Sequence, residues 1–186
     1  MTNTDLAAFC RAVRERTLQN STAVHLLHNE RLSGNVVAIL RQELDSMVRC
    51  IYLLLVKDRS LRSRLIHQSL NGLPWTNQNG KRVTDKEMVA LSNELQNWTK
   101  NVYKFGCAFI HLSGFYDSSG RDPLDSLTED ERNEIARHLR YYHGFHMDSQ
   151  TRFRDIEGVL PRVLEKISSN LECYVRDLEN DSDLDA

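Results

Sequence analysis

Three segments of the chain carry apolar residues at alternating intervals of three and four positions. They run from Val37 to Leu54, from Met88 to Leu112 and from Leu160 to Leu178. This alternation lines apolar side chains along one side of an α-helix, as in helices that pack into bundles. Because one helix cannot bury such a stripe by itself, the sequence predicts an all-α fold. The expected architecture is a single-domain antiparallel bundle of four to five main helices with additional short helices.

Capping signals predict where these helices begin. Two capping boxes, each a threonine followed three residues later by a glutamate, indicate helix starts, and a serine and a proline mark two others. The signals are Thr84 with Glu87, Thr128 with Glu131, Ser33 before the first stripe, and Pro161 in the first turn of the last helix.

The segments between the stripes are predicted to be short helices and loops. Leu6, Phe9 and Val13 are spaced for one helix face, and a break is expected near Asn20–Ser21. Asn79-Gly80 is a turn signal. The expected short helices are 24–31 and 60–70. The stretch 71–83 is expected to be a loop or a small hairpin, and 118–125 a loop.

Composition supports one domain and sets its limits. Only 8 glycines and 3 prolines occur in 186 residues, which favours helices over a turn-rich β fold. No compositional break divides the chain, so we expect one domain over 1–179. Residues 180–186 form an acidic end that is predicted to be flexible. Residues 1–110 carry 15 basic against 9 acidic residues, a mild excess that favours contact with an anion without establishing it.

The cysteines and the apolar runs predict a cytoplasmic protein. The four cysteines are far apart, each in a predicted helix, so we expect them to be reduced and buried instead of forming a disulfide or zinc framework. The longest apolar run, Met47 to Val56, is about half of the roughly 20 residues that a membrane span needs. No membrane partner is expected.

The candidate functional site is the run of arginines and histidines from Arg132 to His146. An imidazole that titrates near neutrality beside guanidinium groups suits proton transfer on a phosphodiester. At about 100° per residue, the helix should bury one apolar stripe with polar side chains on its flanks. The expected stripe is Ile135, Leu139 and Tyr142, with Arg132 and His143 on one flank, His138 on the other, and Arg140 as the nearest basic neighbour of His143.

The spacing within this run is similar to that of a known superfamily. Arg137 and His143 enclose the sequence His138-Leu-Arg-Tyr-Tyr, and Arg132 and His138 enclose Asn133-Glu-Ile-Ala-Arg. Both match a pattern of arginine, a polar residue, a few further residues and histidine. In this pattern the chain resembles the HEPN superfamily of small α-helical bundles, often dimeric, many of which are metal-independent RNases. The resemblance covers the bundle and this late helix but not the first 70 residues.

The resemblance implies an RNA-directed protein, with metal-independent endoribonuclease activity in a toxin or phage-defence system and a homodimeric state. In such a reaction the ribose 2′-hydroxyl attacks the adjacent phosphorus and leaves a 2′,3′-cyclic phosphate. No metal or other cofactor is expected. His143 would be the acid–base residue and Arg137 the phosphate ligand, or His138 and Arg132 in the rival frame. Substrate contacts are expected from Arg140, Tyr141 and His111, although His111 lies beside an apolar stripe and is also placed to bond a buried carbonyl.

Two other interpretations stay open. The helix is also compatible with a solvated, charge-rich surface that ends in a His-Gly C-cap. The whole chain is equally compatible with a non-catalytic interaction module, such as an adaptor or a toxin-neutralising partner. An enzyme predicts an accessible His138 or His143 near an arginine, whereas an interaction module predicts histidines bonded to backbone and an apolar patch elsewhere.

Three further features carry weaker expectations. Neither His25-x-x-His28 nor His143-x-x-His146 is completed to a zinc set, so no metal site is predicted. Trp75 is expected to pack on the bundle, with base stacking as the alternative. Asp45 and Arg49 are four residues apart on one helix and predict a salt bridge.

Overall fold

The chain forms an all-α bundle, as predicted. The computed structural model describes residues 3–110 and 121–184, and these residues contain helices, turns and one isolated bridge between Thr76 and Arg82, with no strand. The helices are α1 (Asn3–Asn29), α2 (Ser33–Leu55), α3 (Arg59–Leu70), α4 (Asp85–Gln96), α5 (Thr99–Ile110), α6 (Glu129–His143), α7 (Phe153–Ile156) and α8 (Leu160–Glu179), with short 3-10 turns over Pro123–Ser126 and Glu157–Val159. Within the described ranges, none of them is both long enough and apolar enough to cross a membrane.

The helix α2 lies at the centre of the bundle. It packs against α1, α4, α5 and α8. Burial of each leucine or isoleucine side chain stabilises the fold by about 1.5–3 kcal/mol, so this stripe is a large part of the core. Every member of the predicted stripe is buried: Val37, Leu40, Leu44, Met47, Ile51 and Leu54.

The N-terminal region is one helix, and the predicted break near Asn20–Ser21 is wrong. The α1 helix continues through this point to Asn29. Asn20 is buried, and its side-chain amide donates to a carboxylate oxygen of Glu43 on α2 at 2.8 Å. A helix-breaking residue is therefore held in the helix by a tertiary hydrogen bond, which the local sequence does not reveal.

The second apolar stripe is divided between two helices, where the sequence predicted one. The α4 helix ends at Asn97, which adopts a left-handed backbone conformation with φ of 60°. Trp98 follows and is buried, as predicted, whereas Leu95 is 37% exposed although the stripe placed it in the core. The change of direction at Asn97 separates the two halves of the stripe. Leu112 lies outside the described residues.

The helix starts agree with the capping signals except at α2. The boxes at Thr84 and Thr128 are both formed, and Pro161 lies in the first turn of α8. Leu32 occupies the cap position of α2 without a side-chain cap, and Ser33 is the first helical residue. The buried Ser33 hydroxyl has no hydrogen-bond partner in the described parts of the chain. The prediction that Ser33 caps α2 is wrong.

For the stretch 71–83 the sequence predicts a loop or a small hairpin. It is a loop with Gly80 at φ of 73° in its turn and one isolated antiparallel bridge between Thr76 and Arg82. Trp75 is buried in this loop, 5.8 Å from the ring of Tyr52 and 5.0 Å from the guanidinium of Arg49. Trp75 therefore packs on the bundle as expected. Arg49 also donates to Asp45 at 3.0 Å, which confirms the predicted salt bridge.

Part of the acidic end of the chain, residues 182–184, contacts the bundle. Arg62 is only 1% exposed, and its guanidinium donates to Asp183 at 2.5 Å and to the carbonyl oxygen of Ser182 at 3.1 Å. Leu184 donates its backbone N–H to the carbonyl oxygen of Leu54. A buried guanidinium needs such partners, because an unpaired charge inside a protein is costly.

The four cysteines are free thiols, and only two of them are buried as predicted. Cys10 and Cys50 lie in the core, and burial raises the pKa of Cys10 to about 11. Cys107 is partly buried and Cys173 is exposed. The expectation that all four are buried is wrong, because Cys107 lies on a side of α5 and Cys173 on a side of α8 that faces away from the core.

Candidate functional site

The arginine–histidine run forms α6, as predicted, and its two ends are well defined. Glu131 completes the capping box at its start. Gly144 ends it in a left-handed conformation with φ of 65°, and Arg162 of α8 donates to the carbonyl oxygen of His143 at 2.9 Å. These contacts fix the rotation of α6 against the bundle.

That rotation differs from the predicted one. Leu139 and His143 are the buried residues of α6, whereas Tyr142 is 39% exposed and Ile135 is only partly buried. The buried stripe is therefore displaced from Tyr142 toward the flank that carries His143. The prediction that Tyr142 belongs to the buried stripe is wrong.

The two histidines of α6 form a pair in which His143 is buried and His138 is partly buried. Their ring centroids lie 5.4 Å apart, and the ring of His138 also contacts Trp98 at 5.4 Å and Tyr142 at 4.9 Å. Both ring nitrogens of His138 and Nε2 of His143 are buried, and none has a hydrogen-bond partner among residues 3–110 and 121–184. Neither description offered by the sequence fits these three nitrogens, since they are buried and none is bonded to backbone among the described residues.

Burial also determines the charge of this pair. Loss of hydration lowers the pKa of His138 to about 4, with smaller contributions from His143 and Lys166. The pKa of His143 is also lowered, mainly by burial and then by the nearby charge of Arg162. Both imidazoles are therefore neutral at pH 7, and each can accept a proton only weakly.

The arginines of α6 separate into two groups. The guanidinium of Arg132 donates to the carbonyl oxygens of Asp148 at 2.9 Å and of Thr151 at 2.7 Å, so this side chain holds the loop after α6. Arg137 and Arg140 are exposed, as is Tyr141, of which 80% is accessible. Of the two proposed arginine–histidine pairs, Arg132 with His138 is therefore the one whose arginine is already hydrogen-bonded to backbone carbonyl groups.

A groove lies between α6 and the junction of α4 with α5. Its volume is about 330 Å³. It contains two cations, three aromatic rings and four side-chain amides, which together suit a ligand with both anionic and aromatic parts. The lining residues are Asn93, Gln96, Asn97, Trp98, Lys100, Asn101, Glu134, Arg137, His138, Tyr141 and Tyr142.

Behind His138 lies a second, smaller cavity of about 70 Å³. Its walls are almost entirely apolar, and it shares Trp98, Asn101 and His138 with the groove. The imidazole of His138 thus stands between a polar groove and an apolar interior. This position accounts for the lowered pKa of His138.

The structure brings together some of the predicted site residues and separates others. Arg137, His138 and Tyr141 line one groove, whereas His143 is buried away from it and Arg140 does not line it. His111 lies outside the described residues. The residues that the structure describes contain no group of three or more histidine, cysteine or carboxylate side chains that could hold a metal ion.

Sequence reasoning missed the amide side of the groove. Asn93, Asn97 and Asn101 recur every four residues, a spacing that would place them on one side of a helix. That repeat was the available signal. The apolar stripe through Trp98 concealed it because both patterns occupy the same segment.

Compared with protein-family models, curated proteins and solved structures, the chain has no match in any of the three. The resemblance of α6 to the HEPN pattern thus stays a prediction from its residues.

Proposed function

We propose that this chain is an RNA-directed protein of HEPN-like type that binds single-stranded RNA in the groove between α6 and the α4–α5 junction. The observation that carries the proposal is the presence of Arg137 and the exposed Tyr141 in one groove with Lys100 and several side-chain amides. Cations bind phosphates, rings stack on bases and amides hydrogen-bond base edges. We place the protein in the cytoplasm, in keeping with its unpaired cysteines, and as a homodimer in keeping with the resemblance.

Metal-independent cleavage is the further part of this proposal. His138 is the histidine that lines the groove, and it is neutral at pH 7 because burial lowers its pKa. To take the proton of a ribose 2′-hydroxyl, a ring nitrogen of His138 must face the RNA, and both nitrogens are buried. RNA binding is therefore the better supported part, and cleavage requires that the imidazole turn toward the groove.

One experiment tests both parts. A labelled single-stranded RNA is titrated with the wild type and with Arg137→Gln at low salt in EDTA, and the products are analysed for 2′,3′-cyclic phosphate ends. We expect Arg137→Gln to weaken binding about tenfold, the range expected for one charge-assisted phosphate contact. Arg154→Gln is the matched control, because its side chain is 83% exposed on α7 and lies outside the groove.

The possible results separate the parts of the proposal. Cyclic ends made by the wild type and lost in His138→Phe would support the ribonuclease, whereas binding without cleavage would support RNA recognition alone. Equal losses in Arg137→Gln and Arg154→Gln would indicate nonspecific charge attraction, and no binding at low salt would reject the RNA proposal.

The second candidate is a non-catalytic interaction module. It is favoured by three exposed leucines on α1 and in the turn after it, which would be buried if they formed one contact surface with a partner. They are Leu18 at 64%, Leu26 at 63% and Leu32 at 46%. If the RNA experiment fails, the double variant Leu18→Glu and Leu26→Glu should abolish any self-association or partner complex seen by light scattering.

A further inference from the structure

A second groove lies on another side of the bundle, between α1 and α8. Its volume is about 420 Å³, within the range of pockets that bind small molecules. Apolar side chains form much of its walls, and Arg14, Glu165 and Glu172 also line it. The apolar residues include Val13, Leu18, Val24, Leu164, Leu171 and Val175.

Two hydroxyl-bearing residues of this groove are bonded to a buried carboxylate beneath it. Thr17 of α1 donates its hydroxyl hydrogen to Glu43 Oε1 at 2.6 Å, and Ser168 of α8 donates to the same oxygen at 3.1 Å. Asn20 donates to Oε2 at 2.8 Å. Glu43 is 0% exposed, and the partners recorded for it in the described part of the chain are neutral.

This arrangement gives the groove a defined polarity. A hydroxyl has one hydrogen to donate, and Thr17 and Ser168 both commit theirs to Glu43. Each hydroxyl oxygen can therefore offer only lone pairs to a further group. A ligand oxygen that lacks hydrogen would be repelled, and a group with several N–H donors would be favoured.

The charge of Glu43 strengthens that preference. In its ionised form Glu43 has only neutral donors among the described residues, so its negative charge has no counterion there. A cation next to Thr17 and Ser168 would be one hydrogen bond away from that charge. In surroundings of low dielectric constant such an interaction is stronger than in water.

From these two arguments we propose that the α1–α8 groove binds an aliphatic primary amine, with the ammonium at Thr17 and Ser168 and the alkyl chain against the apolar walls. Two of the three N–H donors of an ammonium would bond the two hydroxyl oxygens, and the apolar walls would contact a hydrocarbon tail. This site is separate from the RNA groove and does not depend on that proposal.

Three probes of equal chain length test this site. Hexylammonium, 1-hexanol and hexanoate are titrated separately into the ¹⁵N-labelled full chain at pH 7.5, and amide shifts and calorimetry are recorded. We expect hexylammonium to bind with a dissociation constant on the order of 1 mM, about tenfold more tightly than 1-hexanol, and hexanoate more weakly still. The largest shifts should be near Thr17 and Ser168.

Single variants test whether the ammonium binds at Thr17 and Ser168. Ser168→Ala and Thr17→Val each remove one acceptor, and each should weaken hexylammonium binding about fivefold while leaving 1-hexanol binding nearly unchanged. Ser169→Ala is the matched control, since Ser169 lines the same groove but is not among the hydroxyl donors to Glu43. Because each single variant leaves Oε1 one donor, the fold should persist, which circular dichroism checks.

Several results would overturn the proposal. Equal affinity for hexylammonium and 1-hexanol would mean a purely apolar groove, and equal affinity for methylammonium and hexylammonium would mean a simple cation site. Equal losses in Ser168→Ala and Ser169→Ala would place the ammonium elsewhere. No saturation by hexylammonium up to about 20 mM, where even weak sites fill, would reject the site.

Discussion

Two groups of polar side chains lie inside the bundle, and they differ in how well their hydrogen bonds are satisfied. Around Glu43, both carboxylate oxygens accept hydrogen bonds, from Thr17, Asn20 and Ser168. At the pair formed by His138 and His143, three buried ring nitrogens have no partner among the described residues. The first arrangement joins α1, α2 and α8 and stabilises one geometry. The second leaves buried nitrogens without hydrogen bonds next to a groove. Such unsatisfied polar groups cost stability and occur more often at functional sites than in a purely structural core.

The largest expected effect comes from removing the satisfied carboxylate. Glu43→Ala should lower the free energy of unfolding by about 3–5 kcal/mol, because three donors lose their acceptor and a cavity remains. Urea denaturation followed by circular dichroism measures this loss. Glu165→Ala, at an exposed position on α8, is the control and should change stability little. A loss below about 1 kcal/mol for Glu43→Ala would mean that the donors find other partners.

The next largest effect is a loss of stability at acid pH, caused by protonation of His138. The pKa of His138 is lowered from 6.5 to about 4 in the folded state, so the unfolded chain binds the proton more tightly. Stability is therefore complete above about pH 6.5 and falls as the pH drops toward 4, by about 3 kcal/mol at most.

Thermal unfolding of the wild type and His138→Phe between pH 7.5 and 4 tests this. The difference between their unfolding free energies should change through that range, while contributions of carboxylates cancel in the comparison. If the unfolding free energies of the two proteins changed in parallel with pH, His138 would have an ordinary pKa and would be hydrated in the folded state.

A smaller effect of opposite sign should follow replacement of that imidazole at neutral pH. His138→Phe should stabilise the fold by about 1 kcal/mol at pH 7.5, because it removes buried nitrogens that lack partners and keeps an aromatic ring beside Trp98. His67→Phe is the control, since the His67 side chain is 61% exposed. Destabilisation by His138→Phe would indicate that His138 has a partner in 111–120, or that the larger ring does not fit.

The smallest effect tests whether Glu43 can lose one of its hydrogen-bond donors without a large loss of stability. Ser168→Ala should cost only about 0.5 kcal/mol, because Glu43 Oε1 keeps its shorter bond from Thr17. Ser169→Ala, one residue further along α8, provides the reference. A cost for Ser168→Ala as large as that of Glu43→Ala would mean that the cluster fails whenever any one member is lost.

Much of the fold could be predicted because its signals are local. The apolar stripe of α2 is buried throughout, and the capping boxes at Thr84 and Thr128 form as expected. Each of these patterns depends on residues within one or two turns of each other. The candidate site was only partly predictable. Its helix, α6, was predicted, whereas the side-chain amides of its groove lie on α4, on α5 and at Asn97 between them and were not predicted.

The sequence by itself determined that this chain is helical, where most of its helices begin and that the apolar stripe of α2 is buried. Only the tertiary structure decided that α1 continues past Asn20, that Asn97 divides the second stripe, and that α6 buries His143 instead of Tyr142. The physical reason is that spacing along a helix fixes which side chains share a face. Which flank of that face meets the core depends on contacts with other helices, such as Asn20 with Glu43 and Arg162 with the end of α6.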